Sequence, residues 1–218
     1  MKCVIFDFDD TIVYSEKMKL IEFFNISKKH GSRGIKFYYE NIDKRLTRHD
    51  YFKKLSDVIA LNTDITIDSK CLLSQQMIQE FGDNVSKNLK TTEEIKNIKE
   101  FLKILKDNNY LIFISSKSKK DDIINTLKHK NLFNYFDDIY GLENTKIDHF
   151  NNIITNYNLE PRNIYFFGDS YSDYEVSIHF NCNFIGILTE RDDLKNVACQ
   201  KINNYEKIFD NFIKNKTI

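Results

Sequence analysis

Residues 2–11, Lys-Cys-Val-Ile-Phe-Asp-Phe-Asp-Asp-Thr, decide how the rest of the chain is read. The run from Lys2 to Phe8 is β-branched and aromatic and has no helical period, the pattern of a strand buried on both faces. It carries Asp7 and Asp9 at i and i+2. A strand's two-residue period sends both carboxylates to one side, while Phe8 points to the other. Thr11 follows. Short acidic patterns also occur at ordinary solvated strand ends, so this one acquires meaning from its surroundings.

Similar apolar runs recur at Tyr110–Ser115, at Asn163–Phe167 just before Gly168-Asp169, at Asn183–Leu188 and, more briefly, at Asp138–Gly141. Helical spacing fills the gaps. Residues 92–108 place Ile95, Ile98, Phe101, Leu102 and Leu105 on one face, and 120–130, 146–156 and 172–180 read alike. Strands alternating with helices predict an α/β fold, a Rossmann-like parallel sheet with helices on both faces. Such sheets bind ligands at the carboxyl ends of their strands. Residues 14–90 break the alternation and predict helices near 15–30, 35–45, 48–61 and 68–88. The expected organisation is an α/β core of 1–13 and 91–218 with an all-helical domain, 14–90, inserted after strand 1.

Lys+Arg and Asp+Glu are equal at 32 each among 218 residues, so no global basic field favours nucleic acid or an anionic membrane. No apolar run approaches the ~20 residues of a membrane span. The four cysteines form no CxxC pair and the five histidines show no metal spacing, which fits free thiols in a cytoplasmic protein.

Gly168-Asp169-Ser170 ends one strand, and Asp173 lies one helical turn beyond Asp169. If this strand end adjoins the first, Asp7, Asp9, Asp169 and Asp173 crowd together. Two like charges ~4 Å apart cost about 4 kcal/mol at an effective dielectric near 20. Such a cluster calls for protonation or a divalent cation, and an all-oxygen donor set suits Mg²⁺. Ser115-Ser116-Lys117 closes another strand, where a hydroxyl and backbone N–H groups suit a phosphoryl oxygen. Lys146 opens the next helix and offers a compact cation, with Lys117 as its rival.

These four elements, in this order, resemble the haloacid dehalogenase superfamily, in its phosphatase branch with a helical cap after the first motif. Asp7-Phe8-Asp9-Asp10-Thr11 matches its DxDx[TV], Leu111–Ser115 its apolar strand ending in a hydroxyl, Lys146 its lysine, and Gly168–Asp173 its GDxxxD. The resemblance spans 1–13 and about 91–190, and the insert matches the cap in place and length only. It implies a Mg²⁺-dependent phosphatase acting on a small phosphorylated metabolite. Asp7 would be the nucleophile that becomes an aspartyl phosphate, and Asp9 the general acid and base. Mg²⁺ would be held by Asp7, the Asp9 carbonyl and Asp169, with Asp173 supporting it. Ser115 and Lys146 would hold the phosphoryl oxygens, and Thr11, Ser116, Lys117 and Arg33 would contact substrate.

Asp9 argues against dehalogenation, because a halide leaves without a proton and members that dehalogenate lack this aspartate. Departures are Asp10, where glycine is common and which reads as loop structure, and Ile147, where many relatives have proline. A phosphomutase shares every one of these motifs. A receiver-like phospho-signalling module would place its lysine after the acidic pair, and a silent scaffold would lack a motif residue. The insert carries nine Lys/Arg against three acids over residues 28–54, and Gly31–Gly34 reads as a flexible loop that could bring Arg33 to the pocket. The bland reading of that run is a solvated helical surface.

Overall fold

The computed structural model describes residues 2–44, 46–61, 66–190 and 192–208. Arg45 of the basic run, with which the expected second helix ended, and residues 209–218 of the expected core lie outside them. In chain order the elements are β1 (Cys3–Phe6), α1 (Glu16–Lys28), α2 (Gly31–Asn41), α3 (Arg48–Ala60), α4 (Ile67–Asn88), α5 (Ile98–Asp107), β2 (Leu111–Ser115), α6 (Lys120–His129), β3 (Asp138–Tyr140), α7 (Lys146–Tyr157), β4 (Ile164–Gly168), α8 (Tyr171–Phe180), β5 (Asn183–Ile187) and β6 (Gln200–Ile202). Contacts divide the chain into two compact units, Met1–Ser15 with Lys90–Ile218, and Glu16–Leu89.

The first unit is a six-stranded sheet in the order β3-β2-β1-β4-β5-β6, parallel throughout. β1 is central. Phe6 lies opposite Ile114 on one side and Phe167 on the other, so β1, β2 and β4 end level. Alternate residues face opposite layers. Phe6, Phe167, Phe101 of α5 and Tyr205 pack on one face, with ring centroids 5.0–6.3 Å apart. Cys3, Ile5, Phe113, Ile164 and Phe166 pack on the other face against Phe150 and Ile153 of α7. Each fully buried ring contributes about 1.5–3 kcal/mol. With helices on both faces, every strand must be apolar on both sides, which is why β1 reads as a continuous run.

The second unit is helical in all its described elements, α1 to α4. Phe23, Tyr51, Phe52 and Phe81 form its aromatic centre, with centroids 4.4–5.7 Å apart. Thr47 and Thr66 cap α3 and α4 by accepting from Asp50 N and Ser69 N. Buried Glu22 accepts from Asn84 and Asn88 at 2.9 and 3.0 Å, which satisfies a charge that burial would otherwise penalise.

Two sequence readings are corrected, and one strand went unread. Gly31–Gly34 is not a loop but the first turn of α2, where a Cβ on Gly34 would meet the Ser27 carbonyl oxygen at 1.9 Å. The helix expected from residue 92 begins at Ile98. Asn97 is left-handed, and the residues before it serve tertiary pairing instead: Ile95 N donates to Ile12 O at 2.9 Å and Val13 bridges Glu94. Short, polar-edged β6 gave no apolar run to notice.

Candidate active site

The level ends of β1, β2 and β4 bring Asp7, Ser115 and Gly168 side by side. Asp7 N donates to Phe167 O at 2.8 Å, carrying the β1–β4 ladder one bond past the strand. The chain then turns tightly. Ile12 N donates to Phe8 O at 2.9 Å and Asp10 N to Val13 O at 2.8 Å. Asp10 has φ +49°, a region that aspartate tolerates better than most residues, and its Oδ1 accepts from Ser15 N at 2.8 Å. Asp10 is thus a structural residue of the turn. Both Asp9 carboxylate oxygens are engaged, Oδ1 by the Ser15 hydroxyl at 2.5 Å and Oδ2 by the Ser118 hydroxyl at 2.6 Å.

Lys146, at the first position of α7, is delivered by a Thr145/Asp148 capping box. Its Nζ lies 2.9 Å from Asp7 Oδ1 and also donates to Asp173 Oδ1, and all three side chains are buried. Asp173 Oδ2 accepts from Ser170 N at 3.1 Å and Ser170 Oγ at 2.6 Å, in a second capping box that opens α8. Gly168 makes room for this carboxylate, since a Cβ there would stand 2.6 Å from Asp173 Cβ and Cγ.

Carboxylate oxygens of Asp7, Asp169 and Asp173 all lie within 4.8 Å of one another. Burial first, then the charges of Asp173 and Asp9, push the Asp7 pKa up to about 6 against the pull of Lys146. Asp169 is pushed well above the ordinary range by burial, Asp7 and Asp173. Burial disfavours the Lys146 ammonium, but Asp173 and Asp7 outweigh it and hold the pKa above that of an ordinary lysine. Three acids against one cation leave the cluster short of positive charge, and its donors are all oxygen. That is the fit a hard divalent cation requires.

Ser115 Oγ is 2.9 Å from His149 Nδ1, both fully buried. Ser116 N continues the β2–β3 ladder to Tyr140 O at 3.1 Å and Ser116 Oγ accepts from Ser118 N at 3.1 Å, so this amide is already engaged within the sheet. Lys117 Nζ bonds Ser172 Oγ at 3.3 Å on the rim of a cavity of about 390 Å³ that reaches Lys146. Thr11 is fully buried, and its carbonyl accepts from Tyr205 Oη at 2.8 Å. Arg33 belongs to the helical unit, where its guanidinium donates to Leu61 O at 2.8 Å at the end of α3.

The structure therefore gathers Asp7, Asp9, Thr11, Ser115, Ser116, Lys117, Lys146, Asp169 and Asp173 at one end of the sheet. Sequence reasoning passed over Ser15, Ser118, His149 and Tyr205. Of these only His149 carried a signal, standing one helical turn after Lys146.

Comparison with known proteins fits this arrangement. A predicted phosphoglycolate phosphatase from Haemophilus somnus 129pt superposes with a TM-score of 0.76 at 16% identity, covering 100% of this chain and 98% of that one. A haloacid dehalogenase-like hydrolase from Streptococcus pneumoniae gives 0.70 at 18% identity over 97% and 98%. A beta-phosphoglucomutase from Clostridium difficile gives 0.68 at 19% identity over 98% and 99%. These likenesses establish the shared fold. No curated protein matches in sequence. The family profile described as haloacid dehalogenase-like hydrolase matches residues 4–187, most of the chain, and the chain belongs to that family.

Proposed function

We propose that this hydrolase is a Mg²⁺-dependent phosphatase that transfers the phosphoryl group of a small phosphorylated metabolite to Asp7 and then to water. The observation that carries the reading is the Asp7–Lys146–Asp173 cluster beside Asp169, with Asp9 held close by on two serine hydroxyls. An Asp7 oxygen attacks phosphorus, and the leaving alkoxide takes a proton from Asp9. Asp9, now ionised, removes a proton from water, which attacks phosphorus and frees Asp7 and inorganic phosphate. Ser115 and Lys146 hold the equatorial oxygens, where charge spreads in the transition state. Asp7, Asp169 and the Asp9 carbonyl would hold Mg²⁺, with Asp173 in support through its neighbours. The ion would neutralise the phosphoryl oxygens and the crowded carboxylates.

Arg33 is left out of this assignment, since its guanidinium is engaged within its own unit. The helical unit Glu16–Leu89 is the cap of this reading, and substrate choice is to be sought among its residues. Four free cysteines support a reducing, cytoplasmic setting.

The test is phosphate release across a panel of phosphorylated metabolites with Mg²⁺, wild type against Asp7→Asn. Release from a few compounds, abolished by the substitution and by EDTA, is expected. Well-folded wild type that releases no phosphate from any compound would remove the phosphatase reading. Isomer interconversion that needs an added bisphosphate would replace it with a mutase.

A further inference from the structure

We infer that His149 is a positioning residue that aims the Ser115 hydroxyl at the phosphoryl oxygen, an inference that rests on the proposed role of Ser115. Four observations converge on it. His149 Nδ1 lies 2.9 Å from Ser115 Oγ, with both side chains fully buried. The imidazole sits on α7 three residues after Lys146, so one helix carries both Lys146 and the hydrogen-bond partner of Ser115. The Tyr140 ring, 5.3 Å away, fixes the imidazole plane. Among the described residues no group meets His149 Nε2 in hydrogen-bonding geometry, the Gly141 backbone being the nearby polar group, so Ser115 is the ring's hydrogen-bonded side chain.

A neutral ring explains how this contact serves the reaction. Burial lowers the His149 pKa, aided by Lys146 and outweighing the Gly141 backbone, Asp148 and Glu143. A neutral imidazole carries one proton, and a serine hydroxyl has one. If Ser115 donates to Nδ1, its proton points away from the phosphoryl group, and the buried Nε2–H faces only the Gly141 backbone, without hydrogen-bonding geometry. If Nδ1–H donates to Oγ, the serine proton is free for a phosphoryl oxygen, and the bare Nε2 lone pair is the less costly orphan. The second arrangement forms a relay from imidazole N–H to serine O–H to phosphoryl oxygen. In it each bond polarises the next.

The experiment is a double-substitution cycle on kcat/KM for the best substrate of the panel, with the Mg²⁺-loaded full chain. Ser115→Ala should cost about 100-fold, as loss of one oriented donor does. His149→Leu should cost about tenfold or more alone but less than about twofold on top of Ser115→Ala, because it acts only through that hydroxyl. His149→Asn, whose amide nitrogen can stand near the Nδ1 position, should restore most of the loss, whereas His149→Gln should not. Independent, multiplying losses would overturn the inference, as would a folded Asn variant no better than Leu. Should His149→Leu fail to fold, the Asn and Gln variants decide on their own. Wild type inactive on the whole panel would instead overturn the phosphatase reading on which this rests.

Discussion

Replacing Lys146 by Met removes a charge while nearly keeping the length of the side chain. The ammonium sits 2.9 Å from Asp7 Oδ1 and bonds Asp173 as well, with all three groups out of water. At that separation and an effective dielectric near 20, one such pair attracts by about 6 kcal/mol. Against this stands the several kcal/mol needed to desolvate each ion, so the net effect of removing one partner from a buried pair is about 3–5 kcal/mol. Asp7 has a partial escape. Its pKa is already about 6 with the lysine present, and losing the cation raises it further. The Met variant should therefore be destabilised by about 3–5 kcal/mol near pH 7.5 and by clearly less near pH 5, where Asp7 takes up a proton. Urea unfolding of Mg²⁺-free protein at both pH values measures this. Phosphate release should fall at least about 100-fold at either pH. A loss below about 1 kcal/mol near pH 7.5, or a loss of equal size at both pH values, would refute the argument that Lys146 neutralises these carboxylates.

Gly168→Ala should destabilise by about 1–3 kcal/mol and lower kcat/KM at least about tenfold, since its Cβ displaces Asp173 and with it Lys146; near wild-type values for both would contradict the packing described. Tyr205→Phe should cost about 1–2 kcal/mol by stripping the Thr11 carbonyl of a buried donor, visible as a lower urea midpoint, and an unchanged midpoint would show that bond to be immaterial. The raised Asp7 pKa has a definite sign. Folded protein holds that proton more tightly than unfolded chain between the ordinary carboxylate range and about pH 6, so stability is greatest below that window and falls as pH rises through it. Relative to Asp7→Asn, wild type in EDTA should lose up to about 3 kcal/mol across the window and regain much of it with Mg²⁺; a parallel pH profile for the two proteins would count against the shift.

Much of this site was legible because its chemistry follows directly on buried apolar runs. Asp7, Ser115 and Asp169 each sit where a strand readable from composition stops, and Lys146 and Asp173 sit in the first turn of the helix that follows. What escaped depends on tertiary pairing. Tyr205 reaches Thr11 across 194 residues of sequence, with no local pattern to announce it. Ser15 and Ser118 meet on Asp9 from separate segments and look like ordinary loop serines in sequence. Gly31–Gly34 reads as a loop because two glycines in four residues suggest one, whereas Gly34 is small to let the start of α2 approach the end of α1. The first turn of α5 was lost to competition, since residues 94–95 pair with the loop that follows Asp7 rather than extending a helix.

The position of the helical unit between β1 and β2 has a thermodynamic consequence of its own. Roughly a hundred residues separate two strands that lie side by side, and Glu16–Leu89 accounts for most of them. The entropy lost in closing a loop grows only with the logarithm of its length, so a connection about three times longer costs about 1 kcal/mol more. A segment that folds on itself and holds its ends in place costs less still. Chain can thus be lengthened, trimmed or exchanged immediately after Ser15 with little penalty to the register of β1, β2 and β4. The sheet can keep one reaction constant while the inserted segment is free to diverge.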